Sequence, residues 1–238
     1  VTDPLPDAAG QRRIVAAVVT FNRIGLLRRL VARLREVPGV AEVVVVDNAS
    51  SDGTGEWLRS LEGTPGTPVV TRLLDENRGG AGGFREGLDV AVERGADLVW
   101  LMDDDGLPDP DCLELLLAHD GELDFWGPAV VDEERSDRLV FPIRLPGTST
   151  VVHDMAAVRA AATDGLIRDV VIPFNGVLVT VSWCSGSARC VPSSSSGATT
   201  TSTGCGPNGP APGSPPSSTP SCATPRSARW ARRCWAGG

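Results

Sequence analysis

The chain has 238 residues, a net charge of −8 and a pI near 4.8, and it holds neither Tyr nor Lys, so all 22 basic residues are Arg. That length suits one α/β domain with an appendage, and the acidic balance argues against a sequence-independent grip on nucleic acid. No apolar run reaches the length of a membrane span and residues 1–11 lack the layout of a signal peptide, so the expected location is cytoplasmic.

Residues 1–12 read as an N-terminal segment. Residues 14–19 form a continuous apolar run that predicts a strand, and residues 25–37 place Leu26, Leu27, Leu30, Val31 and Leu34 at helical spacing. A second apolar run, 43–46, ends at Asp47. Residues 53–61 read as helical, 69–74 as extended and 83–94 as helical. Residues 98–102 predict a strand that runs straight into Asp103, Asp104 and Asp105. Residues 111–119 predict a helix, with Asp109 or Asp111 to cap its start. A last strand signal, preceded by a turn, lies within 173–179. Apolar strands alternating with helices predict an α/β fold with a mostly parallel central sheet flanked by helices. Ligands in such sheets sit beyond the strand C-termini, where Thr20, Phe21, Asn22, Arg23, Asp47 and the three aspartates fall.

The aspartate triplet is the strongest signal. In an extended segment Asp103 and Asp105 would share a face while Asp104 points elsewhere. Carboxylates this close repel one another unless a cation or a donor neutralises them, and oxygen-only ligands suit Mg²⁺ or Mn²⁺. A solvated acidic turn is the alternative; position at the end of a buried strand favours the cation. Asp47 has two open readings, an Asx turn or a carboxylate facing a nucleobase or ribose. The run Asn77-Arg78-Gly79-Gly80-Ala81-Gly82-Gly83-Phe84 is neither a Walker loop nor a G-x-G-x-x-G fingerprint. Its glycines allow close approach to the backbone, and Arg78 could pair with a phosphate. The missing fingerprint after the first strand disfavours a dinucleotide-dependent oxidoreductase. His119 and His153, without ligand partners at metal spacing, read as ordinary residues, and Trp57, Trp100 and Trp126 as core.

Taken together, Val18-Val19-Thr20-Phe21-Asn22-Arg23, Val45-Val46-Asp47-Asn48, Asn77-Arg78-Gly79-Gly80, Trp100-Leu101-Met102-Asp103-Asp104-Asp105-Gly106 and Phe174-Asn175-Gly176 resemble family 2 inverting glycosyltransferases with the GT-A fold. Within that family the likeness is to bacterial galactofuranosyltransferases, over residues 13–180. The resemblance implies a donor pocket of Thr20, Phe21, Asn22, Arg23, Asp47, Asn77, Arg78, Gly79 and Asp104. It also implies Mn²⁺ or Mg²⁺ on Asp103 and Asp105, and Asn175 on the acceptor side. The implied reaction is inverting transfer of galactofuranose from a UDP donor to a cell-envelope glycan or a polyprenyl-linked acceptor, with a peripheral membrane location. A rhamnosyltransferase using a dTDP sugar is the alternative, and a catalytically dead nucleotide-binding remnant is a second one.

Residues 181–238 differ from everything before them. All 30 acidic residues lie at or before Asp169, whereas five of the six Cys lie beyond Val181 in a Pro-, Ser-, Thr- and Gly-rich stretch. No C-x-x-C pair supports zinc there, and no periodicity offers a face to bury, so the composition predicts a disordered tail. The family resemblance implies a general base in a Trp-Gly-Asp-Asp-like motif and a metal-binding His further on; as written, the chain has neither. A one-nucleotide slip restores both: residues 192–203 then permit Pro-Glu-Phe-Phe-Ile-Trp-Gly-Asp-Asp-X-Glu-Tyr, and 217–225 permit Val-Val-Asp-Ala-Val-Leu-Arg-His-Pro. The tail is therefore expected to be a frameshift product that leaves the domain incomplete and no catalytic residue intact. Reading the coding DNA around the Thr180 codon checks this; the expected result is one base whose insertion or removal reopens the family frame.

Overall fold

The computed structural model describes residues 12–170, 172–182 and 228–230. The apolar runs become the strands of one sheet: β1 (Ile14–Thr20), β2 (Val40–Asp47), β3 (Val69–Leu73) and β4 (Leu98–Asp103) are all parallel. They are linked by α1 (Ile24–Leu34), α2 (Thr54–Ser60) and α3 (Gly79–Glu93). Two short strands extend the sheet past β4. Running antiparallel to β4 is β10 (Val177–Thr180), which in turn pairs antiparallel with β6 (Phe125–Trp126), giving the order β3-β2-β1-β4-β10-β6.

Both faces of this sheet are covered, which is why its central strands carry no polar alternation. On one face Ala16, Val18, Val43, Val45, Trp100 and Met102 pack against α1, α2 and α4 (Cys112–Leu117) through Leu27, Leu30, Leu58 and Leu113. On the other, Val15, Val19, Val44, Val46 and Leu101 meet α3 through Phe84 and Ala91. Buried Glu42 on β2 anchors the end of α3: Arg94 Nε donates to it at 2.8 Å, and Arg13 Nη2 lies 3.1 Å away. The hydrogen bonds from Arg94 hold this carboxyl below its ordinary range, against the opposing pull of burial.

A second sheet was not legible in the sequence. Its order is β5 (Gly106–Leu107), β11 (Ala228–Trp230), β7 (Val130–Asp132), β8 (Arg138–Arg144) and β9 (Val151–Asp154). Asp154 caps α5 (Met155–Ala161), its Oδ1 accepting from Ala157 N at 2.8 Å. Val131, Leu139, Val152, Met155 and Val158 form a separate small core there.

Two local expectations need correction. The glycine run is helical from Gly79, not from Gly83, because the Asn77 side chain accepts from Gly79 N at 2.8 Å and starts the turn. Asp111 is the N-cap residue of α4 but makes no capping hydrogen bond with its side chain; Cys112 N donates instead to the Asp109 carbonyl at 3.0 Å. Of the tail, the described residues include the short strand β11, where no regular structure was expected. All five tail cysteines and the two frame-slipped segments lie outside the described residues. Among the described residues no helix is long and apolar enough to cross a membrane.

Candidate functional site

The loops leaving β1, β2 and β4 meet at one edge of the sheet and are stitched together there by side chains. Thr20, the last residue of β1, is buried, and its hydroxyl donates to Asp104 Oδ2 at 2.7 Å. Arg23 Nη1 donates to Asp104 Oδ1 at 3.0 Å and to Asp105 Oδ2 at 3.3 Å. Between them sits Asn22, in the left-handed region at φ 53°. Its N–H donates to Ser50 Oγ at 2.8 Å and its Oδ1 accepts from Ser51 N at 2.7 Å, tying the β1 loop to the β2 loop. Phe21 is 43% exposed beside them, a large ring that the fold does not bury.

The aspartates are not arranged as strand alternation predicted. Strand β4 ends at Asp103 and the chain turns through Asp104 and Asp105. Asp104 is the buried member, and each of its oxygens already holds a donor, Thr20 on one and Arg23 on the other. Asp104 thereby ties the end of β1 and the β1–α1 loop to the end of β4. Asp104 and Asp105 share the one Arg23 guanidinium, and Asp103 makes no direct ion pair with it, so the three carboxylates together carry excess negative charge. Burial, then the charges of Asp105 and Asp104, push the Asp103 carboxyl up to about 6, with Arg23 opposing. Asp105 is raised as well, by burial and by Asp104, again against Arg23.

A second group gathers at the end of β2. Asp47 is buried and its Oδ1 accepts from Ser50 N at 3.0 Å, so the Asx-turn reading holds for one oxygen. Its Oδ2 faces the first turn of α2, where a β-carbon at Gly55 would lie 3.4 Å away. The sequence reading gave Asn48 no role beyond a turn. In the structure it is the clamp of the glycine loop: its Nδ2 donates to the Gly79 carbonyl at 3.0 Å and its Oδ1 accepts from Arg78 N at 2.8 Å. In the sequence, an Asn directly after the Asp that ends an apolar run was the only available signal. Asn77, Arg78 and Gly79 are thereby held beside β2, with the half-exposed Arg78 guanidinium 3.6 Å from Glu86.

Asn175 closes the site from the other side. The β4–β10 register pairs Leu101 with Val177, and Gly176 N donates to the Leu101 carbonyl at 2.8 Å. Asn175 lies in the bend just before β10, its N–H donating to the Pro173 carbonyl at 2.7 Å. The Trp100 indole holds the turn by donating to the Gly176 carbonyl at 3.0 Å. Asn175 is buried, yet its Oδ1 has no hydrogen-bond partner among the described residues. A buried acceptor left open beside a carboxylate is costly unless something else occupies it. Phe174, 40% exposed, packs at a tilt against Phe84 and edge-to-face against Phe125, with ring centroids 5.2 and 6.0 Å apart.

Among the described residues no group of three or more His, Cys, Asp or Glu could hold a metal ion unaided. Asp103 and Asp105 offer two hard oxygen donors with excess negative charge, a set that fits a divalent cation whose other ligands come from a bound anion.

Comparison with known proteins agrees with this architecture. Over 172 residues the chain is 33% identical to galactofuranosyltransferase GlfT1 of Mycolicibacterium smegmatis, which covers 69% of this chain and 55% of that protein. Over 109 residues it is 40% identical to undecaprenyl-phosphate mannosyltransferase of Micrococcus luteus, covering 44% of this chain and 43% of the other. The chain thus spans about half the length of the curated relatives it matches. Among solved structures, TarS 1–349 of S. aureus in complex with UDP-GlcNAc aligns with a TM-score of 0.51 at 17% identity, over 74% of this chain and 47% of that one. This likeness shows the GT-A fold. Residues 16–150, more than half of the chain, match the Glycosyl transferase family 2 model. The chain therefore belongs to glycosyl transferase family 2.

Proposed function

We propose that this edge of the sheet binds a nucleoside diphosphate sugar, UDP-galactofuranose in the first instance, for transfer to a lipid-linked or cell-envelope glycan acceptor at the membrane surface. One observation carries the reading. Asp103, Asp104 and Asp105 face one guanidinium at the end of β4, which Asp104 and Asp105 share, so the cluster holds excess negative charge, with Asp104 further tied to Thr20. The names of two relatives, a galactofuranosyltransferase and an undecaprenyl-phosphate mannosyltransferase, support the sugar and acceptor classes. A GT-A neighbour holding UDP-GlcNAc supports the donor class.

Each residue then has a task. The Asp47 carboxylate accepts from the base, the loop Asn77-Arg78-Gly79 borders the donor with Arg78 toward phosphate, and Phe21 lies over the nucleotide. Thr20, Asn22 and Arg23 are fixed by Asp104, Ser50 and Ser51, so they meet the donor without further ordering cost. Asp103 and Asp105 would hold Mn²⁺ or Mg²⁺, which when bound offsets charge on the departing diphosphate. Asn175 faces the sugar from the acceptor side. The general base is read only in the shifted frame beyond residue 180, so the 238-residue chain is expected to bind donor and transfer nothing.

Calorimetric titration tests the site directly. UDP is expected to bind at least 10-fold more tightly in manganese than in EDTA, and more tightly than dTDP. Equal affinity in manganese and EDTA would overturn the metal site, and preference for dTDP would move the reading to a rhamnosyl donor.

A further inference from the structure

The Arg78 side chain, which the donor reading assigns to phosphate, is laid back along α3. A β-carbon at Gly82 would fall 2.5 Å from Arg78 Cβ, 3.7 Å from Cγ and 3.9 Å from Cδ, so the stem of the arginine runs over Gly82. Further along, Glu86 Oε2 lies 3.6 Å from Arg78 Nη1. Residues 78, 82 and 86 recur at intervals of four and so share one face of the helix. That helix begins where Asn48, at the end of β2, holds the Gly79 carbonyl, and it ends where Arg94 reaches Glu42 near the start of β2. A side chain laid from residue 78 toward residue 86 therefore points away from the edge that carries the aspartates.

The surroundings separate what is fixed from what can move. The backbone under Arg78 is fixed, because Asn48 accepts from its N–H at 2.8 Å and donates to the next carbonyl at 3.0 Å. Only the side chain is left to swing, and it is half-exposed. Glu86 is largely covered and has a second, shorter bond, accepting from Arg72 Nε on β3 at 2.7 Å. The carboxylate thus keeps a partner when Arg78 leaves. Glu76 Oε1, 4.0 Å from Arg78 Nε, is mostly exposed and holds it less. An ion pair this open to water is weak, whereas a diphosphate offers a guanidinium paired oxygens and more charge than one carboxylate.

We infer that Glu86 sets how tightly this site holds a nucleoside diphosphate, by keeping Arg78 back along α3 until the diphosphate draws it off. Glu86 is a positioning residue: it acts through Arg78 and touches no substrate. The inference rests on the donor reading above and adds a residue about two helical turns away that opposes donor binding. Titrating the full 238-residue chain in manganese with UDP and with uridine tests it. Glu86→Gln is expected to bind UDP about 3- to 5-fold more tightly than wild type and uridine, which has no phosphate, equally well. Arg78→Gln should weaken UDP severalfold. Removing a negative charge favours UDP through its long-range field as well, so the double variant decides. In the Arg78→Gln background Glu86→Gln should leave UDP affinity unchanged. Should Glu86→Gln fail to melt as a folded protein, Glu86→Asp, which draws the carboxylate back by one methylene and keeps its charge, carries the same expectation. Equal or weaker UDP binding by Glu86→Gln, or a gain that persists in the Arg78→Gln background, would overturn the inference and leave the donor reading standing. No UDP binding by the wild type would overturn both.

Discussion

Replacing Asp103 and Asp105 together by Asn is expected to cost about 100-fold in UDP affinity in manganese, or about 2.8 kcal/mol at 1.4 kcal/mol per factor of ten. In EDTA the variant and the wild type should bind UDP alike. The same variant should be more stable than wild type without metal, and the sign follows from the Asp103 carboxyl. Its folded-state value of about 6 lies above the ordinary 3.8, so the unfolded chain gives up this proton more readily. Below pH 4 both states are protonated and the group costs nothing. As pH rises from 4 to 6 the unfolded state gains, and above 6 the penalty is complete, approaching about 3 kcal/mol at 1.36 kcal/mol per pH unit. Urea denaturation of metal-free protein at pH 4 and pH 7 reads this directly. The stability of the Asn variant relative to wild type should rise across that window. A variant that retains manganese-dependent UDP binding, or one less stable than wild type at pH 7, would contradict the assignment of excess charge to this cluster.

Gly83→Ala is expected to destabilise the domain by about 1–3 kcal/mol through overpacking, although Ala is the better helix former by about 1 kcal/mol. A β-carbon at Gly83 would lie 2.5 Å from Val19 Cγ1 and 3.3 Å from Cγ2. Val19 is buried in the centre of the sheet, branched at its β-carbon, and cannot swing aside without moving β1. The next residue is Thr20, whose hydroxyl holds Asp104. The strain should therefore reach the site as weaker UDP binding as well as a lower melting temperature. Gly80 supplies the control. Nothing lies within 4 Å of a β-carbon there, and its backbone is ordinary helix, so Gly80→Ala should be neutral or stabilising by up to about 1 kcal/mol. Thermal melts of the two variants should move in opposite directions.

What the sequence made legible follows from how each element is buried. Strands β1, β2 and β4 are covered on both faces, so their apolar runs are unbroken and their polar terminators, Thr20, Asp47 and Asp103, stand out. Gly79 to Gly82 read as loop because glycine is a poor helix former; the glycines at 83 and 87 are there because α3 packs directly on Val19, Ala17 and Val46. The second sheet escaped notice since β5 and β7 are two and three residues long and β8 is exposed at most positions, so none of them shows a period. The part played by Asp104 was hidden for a different reason. Alternation holds only while the strand continues, and β4 stops one residue earlier. The clamp by Asn48 depends on a segment 30 residues away, a distance no local pattern reports.

The reversal of direction between β4 and β10 divides responsibility along the chain. Everything gathered around the aspartates on the nucleotide side comes from the first 105 residues, built of parallel crossovers. The opposite bank, with Asn175 and β6, comes from residues 112–180 and meets the first through the β4–β10 pairing and through a core shared by Leu113, Trp126 and Leu178. A lineage could keep its nucleotide chemistry and exchange its co-substrate by altering only the later half of the polypeptide.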